Sequence, residues 1–163
     1  MSDGTDANFD AGAPDDAQAV DYNQDGQEDG YLVTNSDGSQ YEVLDTDGDG
    51  AYDTVLVDTD GDNAADAVGV DTDGDGVIDA VAVDTNHDGV ADYAAADTDG
   101  DGVIDTAVAD TDGDGTADVA YQDTNGDGTA DVAYSDTDGD GEFDTQTQAP
   151  AGTQTGAPDL ASA

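Results

Sequence analysis

The chain has no cysteine, no lysine, no arginine and no tryptophan among its 163 residues. Without thiols it can build neither a disulfide framework nor a thiolate metal site. Without lysine or arginine nothing offsets its 43 acidic residues, and the formal charge is −43. A polyanion gains nothing from phosphate contacts, which excludes nucleic acid and anionic membrane surfaces as partners. Long hydrophobic runs are also missing, so membrane insertion is excluded as well. Leu, Ile, Val and Phe together number only 23, a poverty that, joined to such a charge, marks a disordered chain by default. Residues 1–20 lack a basic n-region and a hydrophobic h-region, which fits a mature form or export without a cleaved N-terminal signal.

The kind of acid argues against plain disorder. Of the 43 acids, 40 are Asp and 3 are Glu. A chain needing only solvating charge would use Glu freely, whereas Asp is the short carboxylate of tight turns and chelating loops.

The Asp residues fall on a lattice. From Asp45 the unit D-T-D-G-D-G-x-x-D-x-x-x-x recurs every 13 residues without insertion, beginning at Asp45, Asp58, Asp71, Asp84, Asp97, Asp110, Asp123 and Asp136. Positions 1, 5 and 9 are always Asp and position 2 is always Thr. Position 3 is Asp except at Asn86 and Asn125, and positions 4 and 6 are Gly except at His87 and Asn63. Those exceptions tolerate positive φ better than most residues, so both positions are expected to need a left-handed backbone. A degenerate ninth copy keeps the spacing at Asp21, Asn23, Asp25, Gly26 and Asp29. Between it and the array, residues 33–43 read as two short strands around a Ser-Asp-Gly turn.

Oxygen ligands at positions 1, 3 and 5, a Gly at 6, a carbonyl at 7 and a ligand at 9 match the first three quarters of an EF-hand calcium loop. The candidate metal ligands are accordingly Asp21, Asn23, Asp25 and Asp29; Asp45, Asp47, Asp49 and Asp53; Asp58, Asp60, Asp62 and Asp66; Asp71, Asp73, Asp75 and Asp79; Asp84, Asn86, Asp88 and Asp92; Asp97, Asp99, Asp101 and Asp105; Asp110, Asp112, Asp114 and Asp118; Asp123, Asn125, Asp127 and Asp131; and Asp136, Asp138, Asp140 and Asp144. The bidentate Glu at position 12 is missing. The first Asp of the next unit is the expected substitute, which would string consecutive ions along one line.

Only four residues separate the Asp at position 9 from the next unit. They are β-branched and small, as in Thr54-Val55-Leu56-Val57, and suit a strand rather than the helices of an EF-hand. The fold class expected is therefore all-β, a calcium-stabilised β-solenoid of 13-residue coils, each one loop plus one short strand, with an N-terminal hairpin. Positions 8 and 11 are expected to point inward, although Tyr121 and Tyr134, both at position 12, have the opposite parity. The expected organisation is a flexible segment 1–20, the degenerate repeat and hairpin at 21–44, the array at 45–148 and a flexible, nearly uncharged tail at 149–163 able to contact another subunit.

Magnitudes make metal essential. Carboxylates stacked about 4.8 Å apart repel by roughly 3 to 4 kcal/mol per pair at an effective dielectric near 20. Ordering 13 residues costs about 20 kcal/mol, and two or three small apolar side chains return only a few. The metal-free chain is expected to be unfolded. One divalent ion per coil leaves 14 of the 30 repeat carboxylate charges and two ions overshoot neutrality, so the cofactor expected is Ca²⁺ at between one and two per repeat. All-oxygen ligands favour it over Mg²⁺.

The D-x-D-x-D-G-x-x-D units at 45–148 resemble the tandem aspartate-rich calcium repeats of thrombospondin type 3 modules, the loops of dockerins and, in architecture, the calcium-binding β-solenoids of repeat-in-toxin proteins. Thrombospondin-type repeats normally carry disulfides, absent here, and the repeat-in-toxin nonapeptide is a different motif. A chain made of little else is most similar to subunits of bacterial extracellular filaments threaded by calcium ions. That resemblance implies a secreted structural protein, extracellular, whose partner is itself in a head-to-tail homopolymer of a matrix or biofilm. The alternative is a monomeric calcium-binding spacer, adhesin stalk or mineral-nucleating polyanion. No nucleophile, base and pocket stand together, so an enzyme is not expected. His87 reads as a tolerated loop residue, and the Thr at position 2 as a turn residue bonding the loop backbone.

Overall fold

The computed structural model describes residues 17–155. Most of the N-terminal segment and residues 156–163, Leu160 among them, lie outside the described residues. Eleven strands follow one another: β1 Gln18–Val20, β2 Gly30–Thr34, β3 Gln40–Leu44, β4 Thr54–Asp58, β5 Ala67–Val70, β6 Ala80–Val83, β7 Tyr93–Ala96, β8 Thr106–Ala109, β9 Val119–Gln122, β10 Val132–Ser135 and β11 Thr145–Gln148. Among the described residues there is no helix. The fold is all-β and repetitive, each 13-residue unit supplying one loop and one short strand. The hairpin read from residues 33–43 is β2 and β3 around a turn closed by Asn35 N–H to the Ser39 carbonyl, 2.8 Å.

The strands stand in one open sheet in sequence order, and each pair is antiparallel. Successive units therefore stack as the 13-residue spacing predicts, but the chain reverses at every loop instead of coiling in one direction. Loops fall alternately on the two long edges of the sheet. One edge carries the loops 21–29, 45–53, 71–79, 97–105 and 123–131. The opposite edge carries the turn at 35–39 and the loops 58–66, 84–92, 110–118 and 136–144.

Register gives this meander a screw symmetry. Thr54 at position 10 lies opposite Val70 at position 13, and Val55 at position 11 opposite Gly69 at position 12; the same pairing of 10 with 13 and 11 with 12 recurs at each later step. Directly paired residues share a face, so a given repeat position points to one face in one unit and to the other face in the next. Each unit is thus carried onto its neighbour by a half-turn about the stacking direction. Tyr121 and Tyr134, both at position 12, lie on opposite faces for this reason.

Position 8 follows the same rule. Ile78 covers Gly69, where an added Cβ would meet its Cγ2 at 3.2 Å, and Tyr52 packs edge-on against Tyr31, centroids 5.6 Å apart. Phe143, one unit out of step, packs on Tyr134 of the other face. The expectation that positions 8 and 11 point inward is corrected here: a single sheet has no inside, and both positions visit both faces. The buried core is small and made mostly of short side chains, among them Val33, Val83, Ala95, Ala107, Ala120 and Ala133. The tail itself turns back onto its own sheet. Thr155 is buried, accepts a hydrogen bond at its carbonyl from the Tyr93 hydroxyl at 3.0 Å and donates its own hydroxyl to the Ile104 carbonyl. The opposite face of the central strands leaves an open apolar groove of about 370 Å³ lined by Val68, Val70, Ala82, Ala94, Ala96 and Val108, among others.

Candidate metal-binding loops

Each loop is held by its own carboxylates. In the loop 45–53, Asp45 accepts the Gly48 N–H at 2.7 Å with one oxygen and the Gly50 N–H at 2.8 Å with the other. Asp47 accepts Asp49 N–H, and Asp49 accepts Ala51 N–H. Asp53 reaches back to accept Thr46 N–H at 2.7 Å and the Thr46 hydroxyl at 2.8 Å. The pattern repeats around the array, as in Asp71 with Gly74 and Gly76 and Asp79 with Thr72. Local bonding of this kind is what Asp offers a turn and Glu, one methylene longer, does not.

Positions 4 and 6 have the left-handed backbone that the two exceptions to Gly predict: φ is 78° at Gly48, 94° at Gly50, 59° at His87 and 71° at Asn63. The degenerate copy folds as the others do. Asp21 accepts Asp25 and Gly26 N–H, Asp29 accepts Tyr22 and Asn23 N–H, and Gln24 takes the positive φ of position 4.

This bonding draws ligand oxygens together. Asp45, Asp47 and Asp53, then Asp71, Asp73 and Asp79, then Asp97, Asp99 and Asp105 each bring a carboxylate oxygen within 4.8 Å of the other two; Asp58, Asp60 and Asp62 do the same. The sets combine positions 1, 3 and 9 or positions 1, 3 and 5 of one loop. A carboxylate has about four lone-pair sites, so the amide bonds leave acceptor capacity for a cation. The groups are positioned to bind a metal ion, and an all-oxygen donor set is consistent with calcium.

The first Asp of the next unit is not part of these groups. It lies a strand length away on the opposite edge, because the chain crosses the sheet between Asp53 and Asp58 or between Asp79 and Asp84. In place of the expected single line, the candidate sites fall in two rows of loops, one per edge. Loops on one edge are two strands apart, about 9.6 Å, which halves the repulsion anticipated for stacked carboxylates. A backbone bond links them at every step: Asp45 N–H donates to the Asp29 carbonyl, Asp71 to Asp53, Asp97 to Asp79 and Asp123 to Asp105 on one edge, and Asp84 to Asp66, Asp110 to Asp92 and Asp136 to Asp118 on the other, at 2.7 to 2.8 Å.

Charge is tuned within the loops. The Thr72 hydroxyl and amide hold Asp79 below the usual carboxylate range, and Thr85, Thr111, Thr124 and Thr137 do the same for Asp92, Asp118, Asp131 and Asp144. At Asp53 and Asp66 partial burial opposes the lowering, and hydrogen bonds led by Thr54 and by Thr59 respectively outweigh it. Asp99 is pushed up by the neighbouring charge of Asp101, and Asp112 by that of Asp114. A cation placed among these groups relieves the second effect without breaking the first.

Two roles were missed in the sequence. The Thr at position 2, expected to bond the loop backbone, donates its hydroxyl instead to a side chain, the Asp at position 9; all eight threonines do so. Its invariance beside an invariant Asp was the available signal. The other is His87. Its Nδ1 lies 2.7 Å from Asp66 Oδ1 and 3.6 Å from Asp60 Oδ2, so it joins the loop 84–92 to its neighbour on the same edge. The 26-residue relation that makes them neighbours appears only once strands alternate.

No protein-family model, curated protein or solved structure matches the chain. Among the described residues no helix is long and apolar enough to cross a membrane.

Proposed function

We propose that the chain is a secreted structural protein whose loops bind two rows of calcium ions and whose sheet extends head to tail into extracellular filaments of a matrix or biofilm. The observation that carries the metal part is the recurrence of converging carboxylates in successive loops, in a chain with no lysine or arginine to offset them. At one ion per loop the array keeps a net negative charge; at two it overshoots, so a load between those limits is expected. The filament part is supported by the open sheet, whose first and last strands each have one unpaired edge among the described residues, a condition proteins normally relieve by covering or pairing.

A second reading has its own support. Residues 149–155 lie on their own sheet, which favours a chain that stays monomeric, a calcium-stiffened spacer or stalk. Light scattering with calcium titration separates the two: a concentration-dependent rise in mass supports filaments, and a constant monomer mass with a gain of strand signal in circular dichroism supports the stalk. Excess chelator should dissolve the filaments. Filaments that keep their strand signal in chelator would sink the calcium reading.

A further inference from the structure

The strands among the described residues number eleven, which is odd, and this sets how one copy can continue another. β1 and β11 run in the same direction, because direction alternates along the sheet. A second copy added without rotation would bring β1 beside β11 in parallel. A copy turned by half a revolution about the stacking direction would bring them together antiparallel, like the ten pairs among the described residues. We infer that successive copies of this chain join β11 to the next β1 antiparallel, with a half-turn about the filament axis at every junction. The inference rests on the head-to-tail reading above and specifies its interface.

The ladder of same-edge backbone bonds selects this arrangement. Along each edge the carbonyl at position 9 accepts the N–H of the residue that follows two strands later. Among the described residues this series leaves the Asp144 carbonyl without a backbone donor and the Asp21 N–H without a backbone acceptor. Asp144 ends a loop on one edge and Asp21 begins a loop on the other. The half-turn exchanges the edges of the incoming copy, so its loop 21–29 follows the loop 136–144 on one edge, two strands on, and the two free groups meet. Addition without rotation leaves them on opposite edges. The half-turn also continues the internal screw, so both faces run through the junction without a break.

The strands that meet are suited to it. β1 is Gln-Ala-Val and β11 is Thr-Gln-Thr-Gln, and neither holds a charge in a chain whose formal charge is −43. Edge strands that must avoid pairing carry charged residues or proline, and these carry none. Extending the internal register, position 10 opposite position 13, sets Thr145 against Val20 of the next copy, Gln146 against Ala19 and Thr147 against Gln18. The junction is heterologous and does not close, which suits an open filament.

The chain has no cysteine of its own, so engineered pairs report the junction directly. Two full-length variants are compared in calcium under mild oxidation, with filaments verified by electron microscopy: Thr145→Cys with Val20→Cys, and Gln148→Cys with Val20→Cys. The first should convert most chains into a disulfide ladder on a non-reducing gel, and the second should leave most as single chains, because its sulfurs sit at opposite ends of the paired strands. The reverse outcome, filaments cross-linked through Gln148→Cys and Val20→Cys, means parallel addition and overturns the half-turn. Cross-linking of the single variant Gln146→Cys to itself in filaments means tail-to-tail joining and overturns it too. Calcium-loaded chains that form no filaments overturn the head-to-tail reading itself, and the junction falls with it. Where a cysteine variant blocks assembly, density of wild-type filaments resolving strand direction on either side of the junction decides between the same alternatives.

Discussion

The N–H of Asp71 donates to the carbonyl of Asp53 across 2.8 Å, joining two loops that are 26 residues apart at the start of each unit and skip the unit between them. This bond makes each edge of the sheet a continuous structure, and several consequences can be measured.

Asp79 closes its loop by accepting both the amide and the hydroxyl of Thr72 at 2.6 Å, and it is buried. Asp79→Ala strands two donors and removes a candidate ligand. It should cost about 1 to 3 kcal/mol in a denaturant melt at saturating calcium and lower the number of ions bound, read by calorimetric titration. Thr72→Val, which removes only the hydroxyl, should cost less, about 1 kcal/mol, and leave the ion count unchanged.

Glycines should divide by geometry. At Gly30 an added Cβ would sit 2.0 Å from the Val43 carbonyl oxygen, and backbone cannot yield as a side chain does. Gly76 has φ 89° and open space around it, so alanine there meets only the left-handed penalty of about 1 to 2 kcal/mol. Gly30→Ala should lower the melting temperature well beyond Gly76→Ala.

Loop charge should make stability and calcium affinity respond in opposite directions. The folded pKa of Asp99 is raised by Asp101, so its favourable contribution is complete below the ordinary value near 3.8 and is lost as pH rises through the raised value. The folded pKa values of Asp79, Asp92 and Asp118 are lowered, led by the hydroxyls of Thr72, Thr85 and Thr111. Their contribution is complete above 3.8 and is lost as pH falls through the lowered values. In chelator, structure measured by circular dichroism should therefore peak in the acidic range between these limits. Asp99→Asn should raise the strand signal at neutral pH in chelator while weakening calcium binding.

His87 should give a separate transition. Its hydrogen bond to Asp66 raises its pKa, so its contribution is complete below the ordinary value near 6.5 and is lost as pH rises through the raised one. His87→Gly restores the repeat pattern and should abolish the decline in melting temperature on that alkaline side.

The lattice of Asp, Thr and Gly was legible because each member acts locally. Asp45 reaches Gly48 and Gly50 within its own loop, and the positive φ demanded at positions 4 and 6 was readable from His87 and Asn63 taking the place of Gly. Strand length was legible for the same reason, since four residues between loops leave no alternative. Chain direction was not legible: a 13-residue period is equally compatible with coils in one sense and with a meander, and the decision rests on contacts between strands. The reach of the first Asp to the preceding loop failed with it, since Asp58 and Asp53 lie across the strand from each other. Tyr121 and Tyr134, which fitted no single inward face, were the residues that carried the missing information.

The hydrogen bonds between strands run along the stacking direction while the covalent chain doubles back at each loop. Each unit adds about 4.8 Å to the length of the sheet but contains 13 residues, which span about 45 Å when drawn straight. A tensile load along that direction falls on the strand pairs and loop clasps first, and each unit that yields releases roughly 40 Å of slack before the backbone is strained. The sheet is therefore an extensible element, a pleated tether whose stiffness up to the yield point is governed by the strand pairs and by the carboxylate bonds that clasp its loops.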